Sequence, residues 1–135
     1  MHQEFTAMTF VHSTAYQAGA CNIGPQEIAA RRRAGHVGAI ITLALLGVLL
    51  LIGAPPIWRL LIAIPAAGTA VTYLQAVLRF CVAFGWMGVF NFGRVGTTTS
   101  VQDADARRAD RARALRMVAG GSAIGLAVGI LAVLL

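Results

Sequence analysis

Three long apolar runs organise the 135-residue chain. Gly35 to Gly53 carries one His and one Thr as its only polar side chains, and Ile57 to Leu78 follows after the Pro55-Pro56 pair. Met117 to Leu135 holds no charged residue at all. Crossing a hydrocarbon layer of about 30 Å takes about 20 apolar residues in a helix, and each run is close to that length. Proline removes a backbone donor and clashes with the preceding turn, so Pro55-Pro56 ends the first helix. The connection is too short for anything but a tight antiparallel hairpin. The expected fold is an all-α integral membrane protein with transmembrane helices over 35–53, 57–78 and 117–135.

The stretches between the runs differ in kind. Residues 1–24 have no clear period and read as an irregular arm. Asn22-Ile23-Gly24-Pro25 is a turn that opens a helix, with Pro25 suited to the first helical position and Glu27 to the positive end of the helix dipole. That helix can run through Arg31, Arg32 and Arg33 into the first span, so 25–135 reads as one domain. Residues 79–93 hold Phe80, Phe84, Trp86, Phe90 and Phe92 among several glycines. The segment is too short to cross separately and suits an aromatic interfacial belt or a docking surface for a subunit, a lipid tail or a flat cofactor. Ser100 and Asp103 have capping-box spacing. From there a helix is expected over 101–116, continuous with the third span and projecting its first turns beyond it.

Small residues recur in the third span. Gly121, Gly125 and Gly129 fall on one face, and Ala119, Ala123 and Ala127 form a second ridge. Such spacing lets helix backbones approach closely, which matters in lipid because apolar burial does not itself drive association there. The partner is either the first two spans or another polypeptide.

Charge turns this pattern into a topology. Only 12% of residues are charged, too few to cover a water-soluble monomer of this size. The net charge of +6 comes entirely from arginine. Ten of the 11 arginines (Arg31, Arg32, Arg33, Arg79, Arg94, Arg107, Arg108, Arg111, Arg113 and Arg116) fall on one side of three spans, with Arg59 opposite. They flank apolar runs and form no open polar face, so the surplus speaks for anionic lipid and topology and not for nucleic acid. The positive-inside rule places the chain in an inner (cytoplasmic) membrane with its amino terminus in the cytoplasm and its carboxy terminus outside. The first run is longer than a signal-peptide core, and Ala18-Gly19-Ala20-Cys21 resembles a lipoprotein cleavage site without the basic stretch such a site follows.

Candidate chemistry is sparse. All five acids lie outside the spans, so intramembrane carboxylates that mark proton or ion pathways are missing and no catalytic set is evident. His12, Cys21, His36 and Cys81 share the arginine-rich side and could supply metal or tetrapyrrole ligands, although their spacing follows no ligand motif. Thr42, Thr69, Thr72 and Gln75 are the polar positions that would line a path. The expected role is a non-catalytic accessory subunit or assembly factor of a larger membrane complex, for example a respiratory or photosynthetic one, working through helix packing and lipid contact. The alternatives are a small cofactor-binding membrane protein using His36, Cys81 or Cys21, and a self-associating channel or small-molecule exporter.

Overall fold

The computed structural model describes residues 15–135; His12 lies outside them. Helix α1 spans Pro25–Leu51, opened by an extended Gly24 and by Pro25 in the first turn. It closes through Gly53, whose φ of +65° is a left-handed turn that glycine adopts without strain. A 3₁₀ segment, Pro56–Ile62, leads into helix α2, Ala63–Leu78. Pro65 lies in the first turn of α2, where a missing N–H removes no helical bond.

Helix α2 stops at Arg79, which adopts φ 55° and ψ 40° while Phe80 N–H bonds back to the Gln75 carbonyl. This is the closure that glycine usually provides. The short helix α3, Val82–Met87, ends at Gly88 (φ +74°). Strand β1 (Val89–Phe90) then pairs antiparallel with β2 (Thr99–Ser100), Val89 opposite Ser100. Helix α4 runs unbroken over Ala104–Val133, through the Gly120-Gly121 pair. Its cap differs from the expected one. Ser100 is held extended in β2, so the helix starts later, with Asp103 Oδ2 accepting from Ala106 N–H at 3.0 Å.

Three helical stretches, Pro25–Leu51, Pro56–Leu78 and Ala104–Val133, are long and apolar enough to cross a membrane. They form an open layer with α2 in the middle. α1 and α4 both pack on α2 and scarcely touch each other. The glycine ridge of α4 finds its partner within the chain. Gly121 lies on Val71, a Cβ at Gly125 would sit 2.5 Å from Ala67, and one at Gly129 would sit 2.8 Å from Ala63. The α1–α2 seam has its own close approaches, which no repeat in the sequence announces: Gly35 on the Tyr73 ring and Gly38 on Thr69 Oγ1. The other small ridge is not used. Ala119, Ala123 and Ala127 are exposed on α4, so Ala123 takes no part in packing within the chain.

The first turns of α4 are not a solvated stalk. Ala106, Asp110, Ala114 and Met117 recur at helical spacing and are buried against α3 and the arm. Phe80, fully buried with Ala114 and Met117, fills the core at this end. At the opposite end Leu49, Ile62, Ala66 and Ala132 make a second cluster.

Candidate functional site

The side chains with the most connections gather at the arginine-rich end, where the arm, α1, α3, α4 and the 79–103 segment meet. Asn22 is fully buried and clamps Cys81 from both sides. Its Oδ1 accepts from Cys81 N–H at 2.6 Å and its Nδ2 donates to the Cys81 carbonyl at 3.1 Å. The Asn22 backbone donates to the Arg79 carbonyl and accepts from Asn91 N–H. Asn91 organises the following loop. Its Oδ1 accepts from Gly93 N–H and Thr97 Oγ1, both at 2.9 Å, and its Nδ2 donates to the Arg94 carbonyl at 2.7 Å. Its backbone carbonyl receives Gly24 N–H, which ties the loop to the entry of α1.

Two buried acids complete the layer. Glu27 is 2% exposed and pairs with Arg31 at 3.1 Å, while its other oxygen receives Gly96 N–H and Asn91 Nδ2 at 3.3 and 3.4 Å. The same Arg31 nitrogen donates to Cys81 Sγ at 3.0 Å, and its guanidinium lies 5.8 Å from the Phe84 ring centre. Asp110 accepts from Tyr16 OH and from Gly19 N–H, each at 2.7 Å. Tyr16 stacks on Phe90 with ring centres 4.9 Å apart. Burial first, and then the Asp110 carboxylate, pushes the Tyr16 hydroxyl well above the usual phenol range. Burial also raises the Cys21 thiol.

This network ties segments remote in sequence to one another. Each polar side chain in it is directed at another part of the same chain, which is how a protein interior tolerates buried polar atoms. Sequence reasoning missed Asn22, Asn91 and Asp110, and read Glu27 only as a dipole partner.

The sequence-derived candidates separate into unlike surroundings. Cys81 is held by Asn22 and Arg31, and the Cys21 thiol faces the Ile23 carbonyl at 3.8 Å. His36 Nδ1 lies 2.6 Å from Tyr73 OH on the α1–α2 seam. Among the described residues no three His, Cys, Asp or Glu side chains come together as metal ligands. Of the five aromatics only Trp86 is largely exposed, with Arg111 over its ring at 5.4 Å. Phe80 is interior, which removes it from any docking face, and Phe84, Phe90 and Phe92 are half-buried. The hydroxyls of Thr42, Thr69 and Thr72 donate to carbonyls one turn back in their own helices. Gln75 Oε1 accepts from Val82 N–H and so anchors the start of α3.

The arginines sit as a collar. Arg32, Arg33, Arg79, Arg94, Arg107, Arg108, Arg111 and Arg116 are exposed, while Arg31 and Arg113 are half-buried. Arg59, at the far end, donates to the Leu135 and Ala132 carbonyls and closes the last turn of α4. No family model matches the chain, and no curated protein or solved structure matches it either.

Proposed function

We propose that the chain is a non-catalytic accessory subunit or assembly factor of a larger inner-membrane complex, with the arginine collar in the cytoplasm. The observation that carries the reading is the unequal use of the two small-residue ridges on α4. Gly121, Gly125 and Gly129 are buried on α2, while Ala119, Ala123 and Ala127 remain open beside exposed Ile130 and Leu126. Small residues at helical spacing in lipid favour another helix, because they let backbones approach and gain dispersion contacts that lipid tails supply less well. The internal use of the polar layer adds support, since its described side chains, Asn22, Asn91, Glu27 and Asp110, bond to other parts of the same chain. Ten arginines against one argue for the orientation.

A photo-reactive residue at Ala123, exposed to light in intact membranes, tests the reading. One reproducible adduct with the same membrane protein supports it; adducts with lipid alone would sink it.

A further inference from the structure

Arg107, Arg108 and Arg111, with Ala104, line an open cleft of about 400 Å³ on α4. Two of these arginines are built into the contact between α3 and α4. Arg111 Nε donates to the Trp86 carbonyl at 3.2 Å, and its guanidinium lies over the Trp86 ring. The stem of Arg107 lies on Gly88, where an added Cβ would sit 2.7 Å from Arg107 Cδ. Stems held in this way leave less rotamer freedom to lose when the guanidinium groups meet a ligand.

The charge of the cleft is not neutralised within the chain. Arg108 meets Asp105 at 3.4 Å, an exposed pair of the kind that contributes little. Among the described residues no carboxylate lies within ion-pair distance of Arg107 or Arg111. Asp103, one turn from Arg107, accepts from Ala106 N–H as the helix cap. Beside the cleft Trp86, Met87 and Leu115 are each more than half exposed. Trp, Met and Arg are the residue types that protein interfaces concentrate at their contact centres.

Height and direction narrow the occupant. Arg111 and Arg108 precede Met117, the start of the third apolar run, by six and nine residues. They therefore stand about 9 and 14 Å beyond it along the helix. The headgroup layer of one leaflet is about 5–8 Å thick, and helical side chains lean toward the amino end, here away from the bilayer. The cleft faces water beyond the lipid phosphates. Arg108, Arg111, Leu115 and Ala119 recur at three- and four-residue steps, so the cleft and the head of the open alanine ridge share one face of α4. A helix seated on Ala119 and Ala123 and continued out of the membrane passes Leu115 and reaches the arginines.

We propose that this α3–α4 cleft docks an acidic segment of a partner protein, the stretch adjoining the partner's transmembrane helix on the arginine-rich side. Its Asp or Glu carboxylates meet Arg107, Arg108 and Arg111, and an apolar side chain of the same segment covers Trp86 and Met87. The inference rests on the partner-binding part of the proposed function and names the chemistry of the partner's exposed segment.

The test places a photo-reactive residue at Met87 or at Ala123 of the full chain in native membranes and maps each adduct by mass spectrometry. The Met87 adduct is expected on the same protein as the Ala123 adduct, in a stretch rich in Asp and Glu beside its transmembrane helix. Arg108→Glu should cut the Met87 adduct at least about tenfold, because like charges facing each other across an interface repel. The Arg108 side chain is exposed, so that variant keeps the fold. Arg33→Glu, an equally exposed change on α1, should leave the adduct intact. Met87 adducts on lipid, on a segment without Asp or Glu, or on a protein other than the one captured at Ala123 overturn the proposal. So does a failure of Met87 to capture anything where Ala123 does. An undiminished adduct in Arg108→Glu, or an equal loss in Arg33→Glu, overturns it as well. Lipid adducts alone at Ala123 would instead remove the partner reading on which it rests.

Discussion

Gly125 of α4 rests on Ala67 of α2 so closely that a Cβ on the glycine would lie 2.5 Å from the alanine Cα. Neither backbone can yield without moving a whole helix, so this contact fixes the spacing of the α2–α4 pair. Gly125→Leu is therefore expected to lower the thermal unfolding midpoint of the detergent-purified chain, a loss of about 2 kcal/mol or more. Ala123→Leu, on the exposed ridge, should leave that midpoint unchanged and weaken recovery with a partner. Equal midpoints for Gly125→Leu and wild type would show that the glycine ridge does not set the packing.

The Glu27–Arg31 pair is buried on the acid side and 22% exposed on the arginine side. Removing one partner from such a pair strands the other, at a cost of about 3–5 kcal/mol. Arg31→Gln should destabilise the fold by the lower part of that range, because Gly96 and Asn91 still bond the carboxylate. The double change Glu27→Gln with Arg31→Gln should recover much of the loss. A double variant whose loss equals the sum of the two single losses, in denaturant titration, would contradict the coupling.

The Tyr16 hydroxyl is raised by burial and by Asp110. A group whose folded value exceeds its unfolded one, about 10 for tyrosine, contributes stability that is fully present below that value and fades as pH rises above it. Between pH 9 and 11 the wild-type midpoint should fall more steeply than that of Tyr16→Phe. Parallel curves over that window would count against the Tyr16–Asp110 bond.

Sidedness is best read at engineered thiols. The native cysteines are 6% and 1% exposed, so their silence toward a reagent reports burial as much as location. Ile52, at the hairpin, and Val95, in the loop after β1, are 70% and 54% exposed. In intact cells an impermeant thiol reagent should label Ile52→Cys and spare Val95→Cys. The reverse pattern would invert the proposed orientation.

Much of the architecture could be read along the chain because its signals are local and periodic. Apolar run length sets the three spans, Pro55-Pro56 sets the hairpin, and a four-residue glycine repeat sets a close helix contact. The polar layer resisted the same treatment because its partners are remote in sequence: Asn22 meets Cys81 across 59 positions and Tyr16 meets Asp110 across 94. An asparagine that mimics a backbone strand partner looks, in sequence, like any turn residue. One clue was available, since Asp110 interrupts a stripe of Ala106, Ala114 and Met117 at helical spacing. An acid on a face of small residues signals a buried hydrogen-bonded carboxylate. Similarly, Arg79 carries no local sign of its left-handed turn, because glycine is the residue that usually announces one.

The accessory role stands or falls on the size of the particle that carries the chain after extraction from native membranes in mild detergent. Co-migration with at least one other membrane polypeptide in a defined assembly is expected, lost on Ala123→Leu while the isolated chain still folds. Migration as a free monomer in every mild detergent, for wild type and Ala123→Leu alike, would contradict it.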